Sequence, residues 1–334
     1  SIMIKLALIG CGYWGKNYIK TLTDLEDIHL EYVVDKKRPS IKIPKETRFS
    51  DSLDNVLEDK DLNGIIIATP TITHYDVASK ALNSGKHVLV EKPITTNSED
   101  ALRLCEIAKQ KDVILMVGHI FEYNQAVQEI KRRIDNNELG QLKYIESRRV
   151  GLGPIRQDVS VLWDFATHDI YVSNLLVGKK PDSVSCNGIS HNKGLNDISC
   201  LTLRYSNPEV LSTIYVNWEH PVKERQTIIG GSKKAILFND IEPSEKLKIF
   251  DRGVDFMPVS GDYGEYQATT REGNTLIPKL KLRSPLENQI IHFAECINGK
   301  SKCMTDGYKG LEVIQILEAA EKSILNKGLE IELK

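Results

Sequence analysis

Short apolar runs alternate with amphipathic stretches along the first third of the chain. Five runs of strand length are separated by segments whose apolar residues recur at helical spacing. Between residues 4 and 119 these runs read KLALIG, HLEYVVD, GIIIATP, HVLVEKP and VILMVGH. The alternation predicts an α/β fold with a doubly wound parallel sheet and helices on both faces. The helix that follows Pro93 is predicted to be capped by Thr96, with Glu99 three residues later.

The pattern changes after His119. Helices are predicted over 124–137 and near 161–177, and seven further runs have the length and composition of strands. They read YIESRRV, DSVSCNG, ISCLTLRYS, VLSTIYVNW, RQTIIGG, KAILFN and KLKIFD. Strands that follow one another without helices predict a large, open-faced, mostly antiparallel sheet. Residues 251–283 are expected to form a loop, and two helices are expected to close the chain, near 285–298 and 307–327.

The two patterns predict two domains in this chain of 334 residues. The first is expected over 1–121 and the second, an α/β domain, over 122–334, with terminal helices that are able to pack back on the first. The 44 basic and 46 acidic side chains nearly cancel, so the chain lacks the positive field that gathers nucleic acid. No apolar run reaches the roughly 18 residues that span a bilayer, so no membrane partner is expected.

The cysteines and histidines change this picture little. Six cysteines include no C-x-x-C pair, which favours free thiols in a reducing, cytoplasmic compartment. Eight histidines are scattered, without H-E-x-x-H or paired-cysteine spacing, so no metal site is expected.

The first chemical motif lies between the first strand and the first helix. Residues 10–15 read G-C-G-Y-W-G, the context in which a glycine loop binds a dinucleotide. Gly10 permits a tight turn, Gly12 leaves room for a pyrophosphate, and Gly15 lets the helix approach the strand. An ordinary glycine turn is the alternative. The loop residues predicted to bind NAD(P) are Gly10, Gly12, Tyr13, Trp14 and Gly15.

Asp35 ends the second strand, where a carboxylate accepts hydrogen bonds from the adenosine ribose hydroxyls. It favours NAD as the cofactor, because a carboxylate repels the 2′-phosphate of NADP. The basic run Lys36, Lys37 and Arg38 leaves NADP open, since those cations are able to bind that phosphate. Their alternative role is a solvated basic turn.

Two further elements carry candidate catalytic chemistry. Lys92 follows the fourth strand in E-K-P, at the carboxyl edge of the predicted sheet, where an ammonium is able to hold a reacting hydroxyl. Asp164 and His168 lie four residues apart, so a helix places them on one face, and the carboxylate orients the imidazole for proton transfer. The alternatives are a lysine that merely ends a strand and a helix-stabilising pair. Asp169 adds a second acid, expected to face solvent.

Together these motifs resemble the glucose-fructose oxidoreductase and inositol dehydrogenase family (Gfo/Idh/MocA), nearly from end to end. The shared pattern includes GCGYWG with Asp35, ATPTITH, EKP, GHIFEYNQAV, ELG, D-x-x-x-H, PLENQIIHFAECINGK and DGYKGLEVIQILEAAEKS. The resemblance implies a Rossmann domain followed by an α/β domain whose open sheet often mediates oligomerisation. A homo-oligomer, dimer or tetramer, is therefore expected.

The resemblance also assigns roles to individual residues. It implies that His168 is the main proton acceptor, supported by Asp164, and that Lys92 is the cation that positions the hydroxyl. The positions that it implies for the lining of the dinucleotide are Thr69, Pro70, His74, Glu91 and Lys92. Many members carry an acid three residues after the histidine, where this chain has Tyr171 and, one residue after the histidine, Asp169.

Within the family, residues 148–170 look most like nucleotide-sugar 3-dehydrogenases that act on UDP-N-acetylglucosamine or its uronate. Arg148, Arg149 and Arg156 are candidates to meet a substrate diphosphate, and a solvated basic strand is the alternative. The other functions considered are a polyol or inositol dehydrogenase, a keto-sugar reductase, a glycosidase that keeps NAD bound, and an NAD-binding sensor without catalysis.

Overall fold

The computed structural model describes residues 3–153, 155–191, 194–258 and 266–333. The chain divides into two compact units. Unit 1 comprises Ser1–Asn124 and Arg283–Glu318, and unit 2 comprises Gln125–Leu282 and Ala319–Lys334.

In the described part of unit 1, six parallel strands form one sheet in the order β3-β2-β1-β4-β5-β6. The strands are β1 (Ile4–Ile9), β2 (Ile28–Val34), β3 (Arg48–Ser50), β4 (Gly64–Ile67), β5 (His87–Val90) and β6 (Leu115–Val117). This order is that of a dinucleotide-binding Rossmann sheet, and it confirms the predicted parallel architecture. The short edge strand β3 is an addition to the predicted set.

Four helices connect these strands in sequence. They are α1 (Tyr13–Thr23), α2 (Leu53–Leu57), α3 (His74–Asn83) and α4 (Ser98–Lys111), with single 3₁₀ turns at Thr71–Thr73 and Ile120–Tyr123. The cap of α4 is Asn97, one residue after the predicted Thr96. Asn97 has extended backbone, and its side chain accepts a hydrogen bond of 2.8 Å from the Asp100 amide, which satisfies a first-turn donor.

One apolar cluster joins the sheet of unit 1 to its helices. Leu6 and Leu8 of β1 are fully buried against Tyr18 of α1 and Phe293. Burying such a side chain contributes about 1.5–3 kcal/mol, so this packing fixes α1 on the strand that precedes the glycine loop.

Unit 2 contains a nine-stranded sheet in the order β16-β13-β12-β11-β7-β10-β9-β8-β17 among its described residues. The longer strands are β7 (Leu142–Val150), β8 (Ser183–Ile189), β9 (Ile198–Tyr205), β10 (Val210–Asn217), β11 (Glu224–Gly231), β12 (Ala235–Asn239) and β13 (Leu247–Phe250). All seven coincide with predicted runs. The pairs are antiparallel except β10 with β7, so the mostly antiparallel sheet is confirmed.

The loop predicted over 251–283 is wrong in part. It contains the hairpin strands β14 (Gly253–Pro258) and β15 (Tyr266–Arg271), and β16 (Thr275–Leu276), while residues 259–265 lie outside the described residues. The side chains of 267–270 are all exposed. A strand without a buried face lacks the apolar alternation on which the sequence prediction depends.

The remaining helices match their predicted positions. They are α5 (Gln125–Asp135), α6 (Thr167–Val177), α7 (Pro285–Ile297) and α8 (Gly307–Leu325), and a last short strand, β17 (Ile331–Glu332), follows. A π-helical turn, Leu162–Ala166, precedes α6, so the segment predicted as one α-helix is wider at its start. Within the described ranges, no helix has the length and apolar character needed to cross a membrane.

Candidate active site

The three glycines of the loop after β1 have different structural roles. Gly10 has φ +95°, and a Cβ built there lies 2.7 Å from the Ala68 carbonyl oxygen. A Cβ at Gly15 would lie 2.1 Å from the Gly10 carbonyl oxygen, so only glycine permits this approach of α1 to the loop. A Cβ at Gly12 meets nothing within 4 Å. The space beside Gly12 is therefore open, as a bound pyrophosphate requires.

The start of α1 faces this open space with backbone donors. Gly12 is the N-cap, no side chain caps the helix, and no acidic residue lies in its first turn. The amides of a first helical turn have no partner within the helix, and the helix dipole adds positive potential there. Tyr13 is 78% exposed, and its ring lies 5.9 Å from that of Trp14 in an edge arrangement. The loop thus has the donors and the room that a dinucleotide phosphate needs.

Asp35 ties the end of β2 to the loop. Its carboxylate accepts 2.7 Å hydrogen bonds from the backbone amides of Cys11 and Lys36. Burial and the negative charge of Asp35 together raise the pKa of the Cys11 thiol to about 12. Each carboxylate oxygen has a second lone pair, so the predicted ribose contact remains compatible with this geometry. Lys36, Lys37 and Arg38 are exposed, and Arg38 lies over the ring of Phe49.

A buried polar chain holds the segment before Lys92. The Tyr18 hydroxyl donates a 2.6 Å hydrogen bond to Glu91 Oε1, and the Lys92 amide donates to Glu91 Oε2 at 3.2 Å. Gln289 Nε2 donates to the Tyr18 hydroxyl at 2.8 Å. Burial raises the pKa of Glu91, although the Tyr18 hydrogen bond and the Lys92 charge oppose that shift. Glu91 thus binds α1 to the backbone of Lys92.

His119 was not singled out from the sequence as a site residue. It lies close enough to Lys92 that, besides burial, the charge of the lysine lowers its pKa. It follows β6, at the same carboxyl edge as Lys92, and is 2% exposed. Burial lowers the pKa of His119 to about 3, and the charges of Lys92 and Lys309 add to the shift. The imidazole is therefore neutral near pH 7. Its position directly after a sheet strand is the signal that marks it in the sequence.

His74 connects two loops at this edge. Its ring nitrogens lie 2.8 Å from the Pro93 carbonyl oxygen and 2.9 Å from the Thr69 carbonyl oxygen. Burial lowers its pKa. Thr69 is half-buried and accepts a hydrogen bond from the Thr73 hydroxyl, while Pro70 is exposed. His74 thus holds the loops after β4 and β5 in place, with Thr69 and Pro70 at the surface of that edge.

The second group of predicted residues lies in unit 2. Asp164 is in the π-helical turn, where its carboxylate accepts 3.2 Å hydrogen bonds from Arg156 Nη1 and from the indole of Trp218. His168 is half-buried in the first turn of α6. A π-helical turn inside a helix is frequent at functional sites. The carboxylate predicted to act with His168 is thus fixed from two directions.

Asp169 does not face solvent, contrary to expectation. It is 3% exposed, and its carboxylate accepts two hydrogen bonds from Arg149, at 2.7 and 3.3 Å. Tyr171, three residues after His168, is also 3% exposed. The burial of Asp169 arises because it points from α6 towards β7, where Arg149 supplies the compensating charge.

The three arginines considered for a substrate phosphate all have carboxylate partners. Arg148 pairs with Glu224 at 2.8 Å, and Arg156 pairs with Asp158 and Asp164. A fourth arginine, which the sequence interpretation missed, is Arg225. It is half-buried, donates to the Val150 carbonyl and lies 4.5 Å over the ring of Phe165, next to Asp164. Burial lowers the pKa of Arg225, and the charge of Arg149 adds to that effect.

Among the described residues, one group of side chains has the atom types that bind metal ions, and none of its members is a predicted site residue. The ligand atoms of His191, Asp197 and Glu219 lie within 4.8 Å of one another. The His191 amide and Nδ1 also contact the two oxygens of Asp197, at 2.7 and 2.9 Å. That bidentate contact accounts for His191 and Asp197 as a pair, and the third member, Glu219, is exposed.

Two family patterns match this chain. Residues 4–119 match the oxidoreductase family with an NAD-binding Rossmann fold, and residues 127–237 match the GFO/IDH/MocA C-terminal domain. The chain therefore belongs to the Gfo/Idh/MocA family of oxidoreductases. Its first domain is an NAD-binding Rossmann fold, which agrees with the open glycine loop and with Asp35.

The matched relatives include dehydrogenases of sugars and polyols. The chain is 32% identical over 195 residues to scyllo-inositol 2-dehydrogenase (NAD(+)) of Bacillus subtilis, covering 55% of this chain and 57% of that protein. It is 28% identical over 191 residues to UDP-N-acetylglucosamine 3-dehydrogenase of Acidithiobacillus ferrooxidans, covering 57% and 59%. The chain thus spans less than two thirds of the length of these two curated relatives.

The same architecture occurs in solved structures. The WlbA dehydrogenase of Bordetella pertussis, in complex with NADH and UDP-GlcNAcA, has a TM-score of 0.76 to this chain at 21% identity. The match covers 99% of each chain. At this identity the likeness establishes the shared fold.

Proposed function

We propose that this protein is an NAD-dependent dehydrogenase that oxidises a secondary alcohol of a sugar-type substrate. The observation that carries the proposal is the buried chain from α1 through Tyr18 and Glu91 to the Lys92 amide. The helix that begins at the glycine loop thereby fixes the candidate catalytic lysine. A hydride-transfer site needs this lysine at a defined place beside the cofactor loop, and the contact with Glu91 fixes the backbone of Lys92 there.

Different residues of the chain bind the dinucleotide and transfer the proton. Gly10, Gly12 and Asp35, with Thr69 and Pro70, hold the dinucleotide. When bound, NAD+ supplies the acceptor for the carbinol hydrogen as hydride.

Lys92 binds the reacting hydroxyl oxygen and stabilises the negative charge that grows as its proton leaves. His168 accepts that proton, and Asp164 stabilises the imidazolium that results. Arg156 and Trp218 hold the Asp164 carboxylate in one orientation through the two hydrogen bonds described above.

A nucleotide sugar such as UDP-N-acetylglucosamine, oxidised at its 3-hydroxyl, is the proposed substrate. A relative named for this activity and the WlbA complex with UDP-GlcNAcA support this choice. Arg156 supplies a guanidinium group that pairs with Asp164, and Arg225 supplies one over the ring of Phe165, the residue after Asp164. Oxidation of an inositol is the second candidate, favoured by the 32% identity to scyllo-inositol 2-dehydrogenase.

The substrate experiment uses purified protein with NAD+ or NADP+ and a panel of UDP-sugars and free polyols. Reduction of cofactor is followed by absorbance. The proposal predicts turnover with UDP-N-acetylglucosamine or its uronate and NAD+. Turnover with inositols alone would indicate a polyol dehydrogenase. A parallel assay with NADH and keto sugars covers the reverse direction, and conversion in that assay alone would indicate a reductase. Cofactor that binds without turnover of any compound would favour the sensor.

The residue experiment compares Lys92→Met and His168→Asn with two controls that have no assigned role, the exposed Lys20→Met and the half-buried His220→Asn. Loss of a positioned proton-transfer group lowers kcat by about 10²–10⁴, while the Kd for NAD+ stays near that of the parent protein. The controls keep the parent rate. Full turnover in Lys92→Met or His168→Asn would remove these residues from the mechanism.

We also propose that the chain forms a homo-oligomer, dimer or tetramer, through the open face of the nine-stranded sheet. Tyr144 of β7 and Leu211 of β10 are register partners, 42% and 39% exposed. Apolar groups at the centre of a sheet face are typical of an interface. Light scattering should give a mass above that of one chain, and Leu211→Glu should lower it; a parent protein with the mass of one chain contradicts this proposal.

A further inference from the structure

The end of α7 brings two cysteines of unit 1 together. Cys296 lies in the last turn of the helix, which Gly299 closes with φ +68° and an amide that donates to the Cys296 carbonyl at 3.0 Å. The Lys300 amide donates to the Glu295 carbonyl, and the chain turns back along the helix. This return places Cys303 beside Cys296.

The two thiols share a hydrogen bond. The Cys303 thiol donates to the sulfur of Cys296, which raises the pKa of Cys303 and lowers that of Cys296. The His292 side chain lowers the Cys296 pKa further. Cys296 is 4% exposed and Cys303 is half-buried as whole residues. Both are free thiols.

An imidazole completes the cluster. His292 Nε2 lies 3.4 Å from Cys296 Sγ and also accepts a 3.2 Å hydrogen bond from the Met304 amide, so the amide and the thiol share one unprotonated ring nitrogen. Glu295 Oε2 lies 3.9 Å from His292 Nδ1 and stabilises the protonated ring. A thiol, a base within reach and a carboxylate behind the base form the arrangement that activates a nucleophilic cysteine.

The other cysteines lack this environment. Burial raises the pKa of the thiols of Cys11, Cys105 and Cys186 to about 12, which keeps them protonated and inert. Cys200 is exposed and has no imidazole contact among the described residues. Of the six thiols, Cys296 alone combines a base with a neighbouring thiol.

We propose that Cys296 and Cys303 form a redox-modification site that reacts with hydrogen peroxide, with Cys296 as nucleophile, His292 as base and Cys303 as resolving thiol. His292 takes the Cys296 proton, and the sulfur attacks a peroxide oxygen. The S–O bond forms, the O–O bond breaks, and the leaving hydroxide takes the proton from His292 and departs as water.

The Cys303 sulfur then attacks the sulfenic sulfur of Cys296. The S–S bond forms, the S–O bond breaks, and the Cys303 proton leaves with the hydroxyl group as a second water. Two thiols are oxidised by two electrons, and one peroxide is reduced to two waters. The product is a disulfide that joins the end of α7 to its return loop.

The experiment treats the reduced full chain with equimolar hydrogen peroxide, alkylates the remaining thiols and maps tryptic peptides by mass spectrometry. Trypsin cleaves after Lys300 and Lys302, so a Cys296–Cys303 disulfide links two separate peptides, 284–300 and 303–309. We expect this linked pair to form about tenfold faster than Cys200 is oxidised, because a base and a second thiol lie beside Cys296. Oxidation of Cys200 at an equal or higher rate overturns the proposal.

Two variants test the roles of the individual groups. In Cys303→Ser the resolving thiol is absent, so Cys296 should accumulate as a sulfenic acid that dimedone traps. In His292→Asn the rate of linked-peptide formation should fall about tenfold, because the base is lost. No dimedone adduct at Cys296, or an unchanged rate without His292, refutes the assigned roles. Neither readout depends on turnover of substrate.

Discussion

Replacement of Tyr18 by Phe tests the buried chain that fixes Lys92. The substitution removes one hydroxyl, which donates to the Glu91 carboxylate at 2.6 Å and accepts from Gln289 at 2.8 Å. A hydrogen bond to a charged group contributes about 1.5–3 kcal/mol, and a buried group left unsatisfied adds to the loss. We expect the free energy of unfolding of unit 1 to fall by about 2–4 kcal/mol near neutral pH.

The loss should depend on pH in a defined direction. Burial raises the folded-state pKa of Glu91. Protonated Glu91 therefore contributes to the stability of the folded protein at low pH, and this contribution falls as the pH rises through the folded-state pKa. The Tyr18 hydroxyl opposes that shift, because it stabilises the ionised carboxylate. Its removal should therefore cost more at about pH 8 than at about pH 5.

Hydrogen exchange measured by peptide mass spectrometry provides the assay, because it reports the opening free energy of each unit separately. The matched control is Tyr32→Phe, whose hydroxyl donates to Asp59 at 2.8 Å near the surface and should contribute about 1 kcal/mol or less. A Tyr18→Phe loss no larger than the control, or one equal at both pH values, would refute the role assigned to this chain.

Four further predictions concern the loop, the cofactor and two buried groups. Gly12→Ala should leave unfolding unchanged yet weaken NAD+ binding about tenfold or more, whereas Gly15→Ala should destabilise unit 1 by about 1–3 kcal/mol. Asp35→Asn should lower the preference for NAD+ over NADP+, measured by the ratio of Kd values, about tenfold. Asp169→Asn should destabilise unit 2 by about 3–5 kcal/mol, since it leaves its arginine partner buried without a counter-charge. The His119 imidazole should stay neutral by NMR from about pH 5 to pH 8.

Each of these has a matched control or a contrary result. Gly153→Ala, where a Cβ meets nothing within 4 Å, is the control for the loop glycines. Lys37→Ala should leave the ratio of Kd values for NAD+ and NADP+ unchanged. A large change in that ratio would mean that the basic residues 36–38 determine the preference. Asp255→Asn breaks a surface pair and should cost about 1 kcal/mol at most. An imidazole of His119 that titrates near pH 6.5 would contradict its assigned burial beside Lys92.

The parts of the site that follow from local sequence were predictable. The glycine loop and Lys92 depend on a strand, a turn and a helix that are neighbours in the chain, and these elements lie where the apolar pattern places them. The NAD-binding fold could therefore be inferred from residues 4–35 together with the E-K-P segment.

The parts of the site that depend on residues far apart in the sequence could not be predicted. The contact from Gln289 to Tyr18 spans 271 positions, and no pattern in a single sequence connects them. The pairing of Asp169 with Arg149 likewise depends on how α6 packs on β7, which reverses the exposure expected from its place beside His168. The π-helical turn at Asp164 gives no composition signal that differs from an α-helix.

In the proposed reaction a hydride passes from carbon 3 of the nucleotide sugar to bound NAD+. The direct measurement uses UDP-N-acetylglucosamine deuterated at carbon 3 and determines the mass of the NADH formed. We expect deuterium in the reduced nicotinamide, and we expect the yield of deuterated NADH to fall with turnover in Lys92→Met and His168→Asn. Reduced cofactor without deuterium, or no reduction with any sugar or polyol in the panel, would contradict it.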